Sequence, residues 1–415
     1  DKFIFQAVDR DTFPNISPIE RARGSANNGI RSRVRQATSR LKRRRSNNNS
    51  LKHSETGIFS SSPNPLGLQI APKTTLSLRL TNDDVIRSRN RAESVPQSIA
   101  EFAARIRDAT IDVMSHIGQS PTPKFSEHIF NIADRNLRNG WIDAGAPSFF
   151  TPKKSASTLI TGTGSGYSAR LLAYQFMVSG HRVIRTTHGG DQAFWADNKL
   201  WSAIEIPYCS DYVFNGEKSA STMNSDDELK PVNRREFFSK SFISVGSNLH
   251  ASIRASADVN QKKLVQTVSV ISASFTGMYR ITPFMKLHDV AYLEWHRRLL
   301  REVKGFGYSV ISKRHPKGLL VDQYLFSDIT DNELLQTPMA EIYAKSDAYV
   351  IDFISSAFME AICTMKPVVL IDIPIRKMRP EVREQISKSV TIVQASIDDD
   401  NRVAIDNNQL KLALQ

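Results

Sequence analysis

The sequence predicts an α/β protein of two domains, each repeating strand, helix and strand, preceded by a basic arm. Three observations carry that expectation. From residue 158 onward, short apolar runs alternate with stretches of helical periodicity. The alternation occurs twice, with a less regular stretch at about 215–262 between the two series. Eleven Lys or Arg residues and no acid crowd into residues 21–53.

Residues 1–75 are rich in Arg, Asn, Ser and Pro and too poor in apolar side chains for a core. They read as a basic, low-complexity, poorly ordered arm, with one short helix possible around Ile30–Lys42. Removing residues 1–60 is expected to leave the fold intact. From Thr75 the pattern changes. Leu76–Leu80 reads as a strand and Ser98–Ile117 as an amphipathic helix carrying Ile99, Phe102, Ile106, Ile111 and Met114. The clearest unit of the first half follows: strand Thr158–Thr161, a glycine-rich turn, a helix with Leu171, Leu172 and Val178 stopped by Gly180, and strand Arg182–Thr187. In the second series, Val268–Ala273 is a strand and about 286–304 a helix with Val290, Leu293, Leu300 and Val303 on its apolar side. Tyr308–Ser312, Asp347–Ile351 and Val368–Ile371 are strands, and Ser355–Met365 is a helix. In such sheets ligands bind beyond the carboxyl ends of the strands.

Bulk properties bound the function. At 415 residues, 40% hydrophobic and 23% charged, the chain is an ordinary globular sequence long enough for two cores. No apolar run approaches the roughly 18–20 residues of a membrane-spanning helix. The chain opens on Asp1 with no signal-like pattern after it, and so reads as a fragment or processed form. Two separate cysteines, Cys209 and Cys363, exclude a disulfide framework and a cysteine-rich zinc site and suit a reducing cytoplasm. The net charge of +13 falls to +2 without residues 21–53, so the basicity belongs to the arm. No aromatic residues interleave with those arginines, which ranks an electrostatic tether to an anionic membrane, or plain disorder, above nucleic-acid binding.

Two strand ends in the second half carry chemistry. One strand ends at Asp352, and Ser355 and Ser356 open the next helix, where unpaired N–H groups and the helix dipole favour a phosphate. Glu360, a turn further on, is placed to reach a ribose. A serine there also serves as an ordinary helix cap. The other strand leads into His315-Pro316, flanked by Lys313, Arg314 and Lys317, and a histidine in that place can donate a charge-assisted hydrogen bond to a phosphate oxygen. In the first half, His188-Gly189-Gly190-Asp191 follows a strand. A histidine titrating near neutrality can take a proton from a hydroxyl, two glycines keep the backbone open beside it, and Asp191 could orient or replace it.

The turn Gly162-Thr163-Gly164-Ser165-Gly166 follows a strand, and Gly164-x-Gly166-x-x-Ala169 fits a dinucleotide fingerprint. No acid stands about 20 positions on to bind a ribose, and no Lys-Ser/Thr pair completes a P-loop. The turn reads as a close approach for donor or acceptor near His188, or equally as a structural turn. A nicotinamide-dependent oxidoreductase is the competing enzyme reading, and tight binding of NAD(P) would favour it. No HExxH, Cys/His cluster or Asp-x-Asp pair marks a metal site, and Asp398–Asp400 reads as a solvated loop.

The segments KRHPKG (313–318) and DFISSAFMEAICTMKPVVLID (352–372) resemble the His-Pro and Ser-Ser motifs of bacterial polysialyltransferases and of the CDP-glycerol glycerophosphotransferase family. They resemble more closely still surface-carbohydrate transferases of the same GT-B architecture, over about residues 158–395. TTHGGDQAF (186–194) corresponds to the His-Gly motif of these families, and Glu205, Ser210 and Asp211 follow in a segment that is also similar. The resemblance implies two Rossmann-like domains facing across a cleft, an acceptor side at 76–260 and a nucleotide-donor side at 261–415. It implies that His315, Ser355 and Ser356 bind the donor phosphates of a CMP- or CDP-type donor. HGGD stands where glycerophosphotransferases carry HGTP-like residues followed by a lysine, which sets attack on phosphorus behind attack on a sugar carbon. The expectation is a metal-independent, cofactor-free glycosyltransferase of capsule-type polysaccharide biosynthesis with a glycan or lipid-linked acceptor. It would be cytoplasmic, with residues 21–53 contacting the inner face of the membrane.

Overall fold

The computed structural model describes residues 58–61, 64–73, 75–77, 95–116, 118–145, 157–162, 166–196, 205–225, 241–257, 264–275 and 287–415. The Arg-rich segment 21–53, the helix expected at 30–42 and Gly164 lie outside them. The described residues fall into two compact units. One lies within 1–61, 73–159 and 166–182, the other within 62–72, 160–165 and 183–415.

The first series of elements runs β1 (Ile58–Ser61), α1 (Pro65–Ile70), β2 (Leu76–Ser77), α2 (Ser98–His116), α3 (Pro123–Gly145), β3 (Thr158–Thr161), α4 (Tyr167–Val178), β4 (Arg182–Thr186), β5 (Asp211–Phe214), α5 (Glu217–Ser225), β6 (Ser241–Ser244) and α6 (Asn248–Ala255). Its strands form a six-stranded sheet of order β2-β1-β3-β4-β5-β6. The pairs β1–β2, β4–β5 and β5–β6 are parallel. The expected strand at 158–161 and helix stopped at Gly180 are present, with Gly180 at φ +77°.

The stretch expected as the end of a featureless arm instead contributes β1 and α1. Phe59 in β1 is completely buried and meets Phe176 of α4 edge-on at 5.8 Å between ring centroids. Asn64 caps α1 by accepting the Gly67 N–H at 2.8 Å, and Pro65 occupies the first turn, where its missing N–H costs nothing. A truncation at residue 60 therefore removes most of a strand. Truncating after residue 61 rather than after residue 57 should cost about 3–5 kcal/mol, the penalty for losing a buried Phe. A comparison of the two melting curves checks this, and coincident curves would make β1 dispensable.

The second series runs β7 (Thr267–Ile271), α7 (Asp289–Gly305), β8 (Ser309–Lys313), β9 (Asn332–Leu334), α8 (Ala340–Tyr343), β10 (Ala348–Ile351), α9 (Ser356–Cys363), β11 (Val368–Asp372), α10 (Pro380–Ile386), β12 (Thr391–Ile397), β13 (Val403–Ile405) and α11 (Asn407–Leu414). The sheet order is β13-β12-β11-β10-β7-β8-β9. All pairs are parallel except β12–β13. Read from β9, the first six strands follow the 3-2-1-4-5-6 order of a Rossmann sheet, whose strand order reverses between β7 and β10.

Both faces of this sheet are covered, which is why its strands read as continuous apolar runs. Side chains alternate across a strand. Val268, Val270, Ala348, Val350, Val369 and Ile371 enter one core with α7 and α11. Ile271, Tyr349, Ile351, Val368 and Leu370 enter the other with Phe358 of α9. Helix α7 buries Tyr292, Trp295, His296, Leu299, Leu300 and Val303, spaced for one face. Val290, expected on that face, is 80% exposed. Leu300 and Val303 are on it as expected, and Tyr292, Trp295 and His296 complete it where an aliphatic pattern passes them over.

Candidate functional site

The loops leaving β4, β8, β10 and β11 all belong to the unit that contains 183–415. Strand β10 is buried throughout, so the chain leaves the core at Asp352 and turns through Phe353 and Ile354 into α9. Ser355 sits at the N-cap position in extended conformation, φ −150° and ψ −175°, and makes no side-chain cap hydrogen bond. Ser356, the first helical residue, is exposed. The reading of Ser355 as an ordinary side-chain cap therefore lacks its defining hydrogen bond.

The His315 loop is built on the end of β7. Leu319 donates its N–H to the Phe275 carbonyl at 2.6 Å. Gly318 adopts φ +114°, and a Cβ there would lie 2.2 Å from the same carbonyl oxygen, so only glycine fits. Arg314, buried, donates to the Leu320 carbonyl at 2.9 Å and to the Gln323 carbonyl, and its guanidinium lies over Phe275. Arg314 thus shapes the loop from within. His315 itself is exposed. Its Nδ1 lies 3.1 Å from both the N–H and the carbonyl oxygen of Lys317, accepting from the first or donating to the second according to the tautomer, and Nε2 is left outside that contact. Desolvation by the surrounding turn lowers the imidazole pKa, and the charges of Lys317, Lys313 and His188 act in the same direction, against the Lys317 backbone hydrogen bond.

The His188 loop is held from both sides. Asn64 donates to the Thr187 carbonyl at 2.6 Å and accepts the Thr186 hydroxyl at 2.8 Å. Gln192 donates to the His188 carbonyl at 2.7 Å and accepts from the Thr187 hydroxyl. The His188 side chain is exposed. Gly189 and Gly190 take φ +96° and +84°, the left-handed region that strains other residues. A Cβ on Gly190 would meet the Asn215 amide at 2.9 Å. One on Gly189 would stand 3.8 Å from the Ser356 backbone nitrogen. This left-handed turn thus sets the strand-end loop at contact distance from the first turn of α9. Asp191 accepts the Trp195 indole N–H at 2.8 Å and lies 3.8 Å from the Arg376 guanidinium. Burial raises its pKa, while Trp195, Arg376 and His188 pull the other way.

The structure therefore brings Gly189 of the His188–Asp191 loop to the first turn of α9, where Ser355 and Ser356 stand, and sets His315 beyond the same end of the parallel sheet. Two expected members are engaged differently. Lys313 is buried, and its ammonium donates to the carbonyls of Arg314 and of Leu335, the latter at 3.2 Å. Burial, with Arg314 beside it, lowers its pKa to about 8. Glu360 accepts the Tyr343 hydroxyl, and its carboxyl pKa is raised by burial. Gly166 caps α4 with an ordinary backbone, and a Cβ there would meet only Ala169 at 4.0 Å. Ser210 and Asp211 brace the sheet: Ser210 accepts the Val183 N–H at 3.1 Å and Asp211 the Ser241 hydroxyl at 2.5 Å. Glu205 is buried, and its carbonyl accepts from Arg185 at 2.5 Å.

The sequence reading missed the groups behind these loops: Asn64, Trp195, Arg376, and a buried quartet around Asp352. Asp352 accepts from the Tyr292 hydroxyl at 2.9 Å and the Trp295 indole at 3.0 Å, with His296 Nε2 at 3.2 Å. Tyr292 in turn accepts the Ala273 N–H at 2.8 Å, joining the ends of β7 and β10 at the point where the strand order reverses. Among the described residues, no group of three or more His, Cys, Asp or Glu could hold a metal ion, and no helix is long and apolar enough to cross a membrane.

No protein-family model matches the sequence, and neither does any curated protein. Solved structures do show similarity at low identity. MurG of Acinetobacter baumannii aligns at 15% identity and TM-score 0.27, covering 57% of this chain and 59% of its own length. A UDP-glucosyltransferase from Polygonum tinctorium aligns at 8% and 0.38, covering 86% and 88%. The calicheamicin glycosyltransferase CalG4 aligns at 12% and 0.33, covering 77% and 85%.

Proposed function

We propose that this chain is a glycosyltransferase of the GT-B kind, acting without a metal on a nucleotide-activated donor of the CMP or CDP type. One observation carries the reading. Gly189, the residue after His188, lies at contact distance from the first turn of α9, since a Cβ on it would stand 3.8 Å from the Ser356 nitrogen. A candidate base thus adjoins a candidate phosphate cradle, which is the arrangement group transfer from a nucleotide needs.

In the proposed reaction an acceptor hydroxyl gives its proton to His188 and its oxygen attacks the donor sugar carbon. The bond from that carbon to the phosphate oxygen breaks, and the nucleotide leaves with the electron pair. His315 Nε2–H, the two serines and the amides of α9 hold the leaving phosphate by preorganised hydrogen bonding. We assign the acceptor side to 76–260 and the donor side to 261–415, a glycan or lipid-linked acceptor, a role in surface polysaccharide synthesis, and anionic-membrane contact to 21–53.

A thermal-shift panel of CMP, CDP, UDP, GDP and NAD, with and without magnesium, tests the core of this reading. A ligand at about 100 times its Kd should stabilise by about 2.7 kcal/mol. We expect CMP or CDP to raise the melting temperature equally with and without magnesium. A shift from NAD alone would replace the transferase with an oxidoreductase.

A further inference from the structure

The strongest unassigned feature is the way the chain beyond His188 is fastened. Trp195 is 5% exposed and belongs to the core on the α9 face of the second sheet, with Ile354, Phe358 and Met378. It forms an antiparallel bridge with Met378. The Ala196 N–H donates to the Lys377 carbonyl at 2.8 Å, the Arg379 N–H to the Phe194 carbonyl at 2.9 Å, and Arg379 Nε to the Trp195 carbonyl at 3.1 Å. This strap ties the loop after β4 to the loop after β11. Arg376 completes it. Its guanidinium carbon lies 4.3 Å from the Trp195 ring centroid and its Nη1 lies 3.8 Å from Asp191 Oδ2, the same oxygen that accepts the Trp195 indole N–H. The Arg376 and Asp191 side chains are only 10% and 14% exposed. Asp191 Oδ1 in turn lies 3.2 Å from where a Gly189 Cβ would be, so this carboxylate backs the turn that approaches Ser356.

We propose that Arg376 is a positioning residue for the His188 loop, acting through Asp191 and Trp195, and that Asp191 is the strut of this latch. The inference rests on the reading of His188 as the base. A planar guanidinium can lie flat on an indole and face a carboxylate at once, which an ammonium cannot. Screened from water, the contact with Asp191 is stronger than a surface pair. A loop tied at 191 and 195 has few ways to move His188. Releasing it spreads the imidazole over many positions, and a misplacement of about 1 Å can cost about 10²-fold in rate.

The experiment measures hydrogen exchange of peptides spanning 188–196 and 348–351 in the full chain, alongside kcat, KM and CDP affinity. Arg376→Ala should speed exchange in 188–196 by about tenfold or more and leave 348–351 unchanged, since local opening is independent of the buried strand. It should lower kcat by about 10–100-fold with CDP affinity within about threefold of wild type. Arg376→Lys should restore less than half of the lost protection, and Trp195→Phe, which keeps the ring and removes the indole N–H, should act in the same direction with a smaller effect. Trp195→Phe and Arg376→Lys carry the test if Arg376→Ala fails to fold. Unchanged exchange in 188–196 in the folded variants overturns the latch. CDP affinity falling in step with kcat also overturns it, because Arg376 would then be a phosphate ligand itself. Loosened exchange in a protein whose wild type transfers nothing from any nucleotide donor leaves the latch standing and removes the proposed function instead.

Discussion

His188→Ala is expected to lower turnover by about 10²–10⁴-fold, the usual worth of a positioned general base, while nucleotide affinity stays within about threefold, since base and phosphate contacts come from different loops. The structure sharpens the contrast with His315. Nδ1 of that ring is engaged by the Lys317 main chain, so Nε2 is the nitrogen left to face a phosphate oxygen. His315→Ala should therefore weaken nucleotide binding itself by roughly one charge-assisted hydrogen bond, about 1.5–3 kcal/mol. Asp191→Asn is the necessary companion. Its amide oxygen can still accept the Trp195 indole, so a strut should survive the change better than a base would. Turnover and CDP titration of the three variants decide the roles. Near-normal turnover in His188→Ala with an inactive Asp191→Asn would make the carboxylate the base, and two active variants would place the base elsewhere.

The largest stability effect is expected at Asp352. Its carboxylate is buried, accepts from Tyr292 and Trp295, and stands 3.2 Å from His296, whose side chain is wholly buried. Asp352→Ala leaves a tyrosine hydroxyl, an indole N–H and an imidazole without their common acceptor, far from water. Removing one partner of a buried polar set costs about 3–5 kcal/mol, against about 1 kcal/mol for an average hydrogen bond. Because Tyr292 also receives the Ala273 N–H, the loss should unsettle the ends of β7 and β10 together. Denaturant unfolding followed by tryptophan fluorescence should show the midpoint for this unit move sharply. A shift no larger than that of Ser355→Ala would show that the quartet contributes little. Tyr292→Phe, which keeps the ring and removes only the hydroxyl, should fall between the two.

Much of the second sheet was legible before any coordinates. Its strands are short apolar runs because both faces are covered, and its helices begin where those runs end. The strand–turn–helix at 348–363 and the strand ending before His315 could be read from local pattern alone. The glycines after His188 read as keeping the backbone open there, and their left-handed conformation came from the structure. Other elements were not legible, for identifiable reasons. β1 and α1 sit in polar sequence, and only the burial of Phe59 and the capping by Asn64 make them structure. The sequence pattern assigns no helix at α3, and α5, β6 and α6 fall in a stretch whose short elements carry weak periodicity. In α7, Val290 was placed inside because it is aliphatic, whereas Trp295 and His296 are inside because Asp352, about 57 residues away in the chain, supplies their partner.

The sequence by itself determined the α/β class, the βαβ order and the three strand-end motifs, because each is a local pattern enforced by hydrogen-bond geometry and side-chain alternation over a few residues. Only the tertiary structure decided which groups meet. It gave Lys313 to two main-chain carbonyls and Glu360 to Tyr343, and it set Gly189 against the first turn of α9. It clamped Asp191 between Trp195 and Arg376. Such pairings join residues far apart in the chain, and their strength comes from shared burial, where water no longer competes for the same hydrogen bonds. Local sequence pattern carries no record of that.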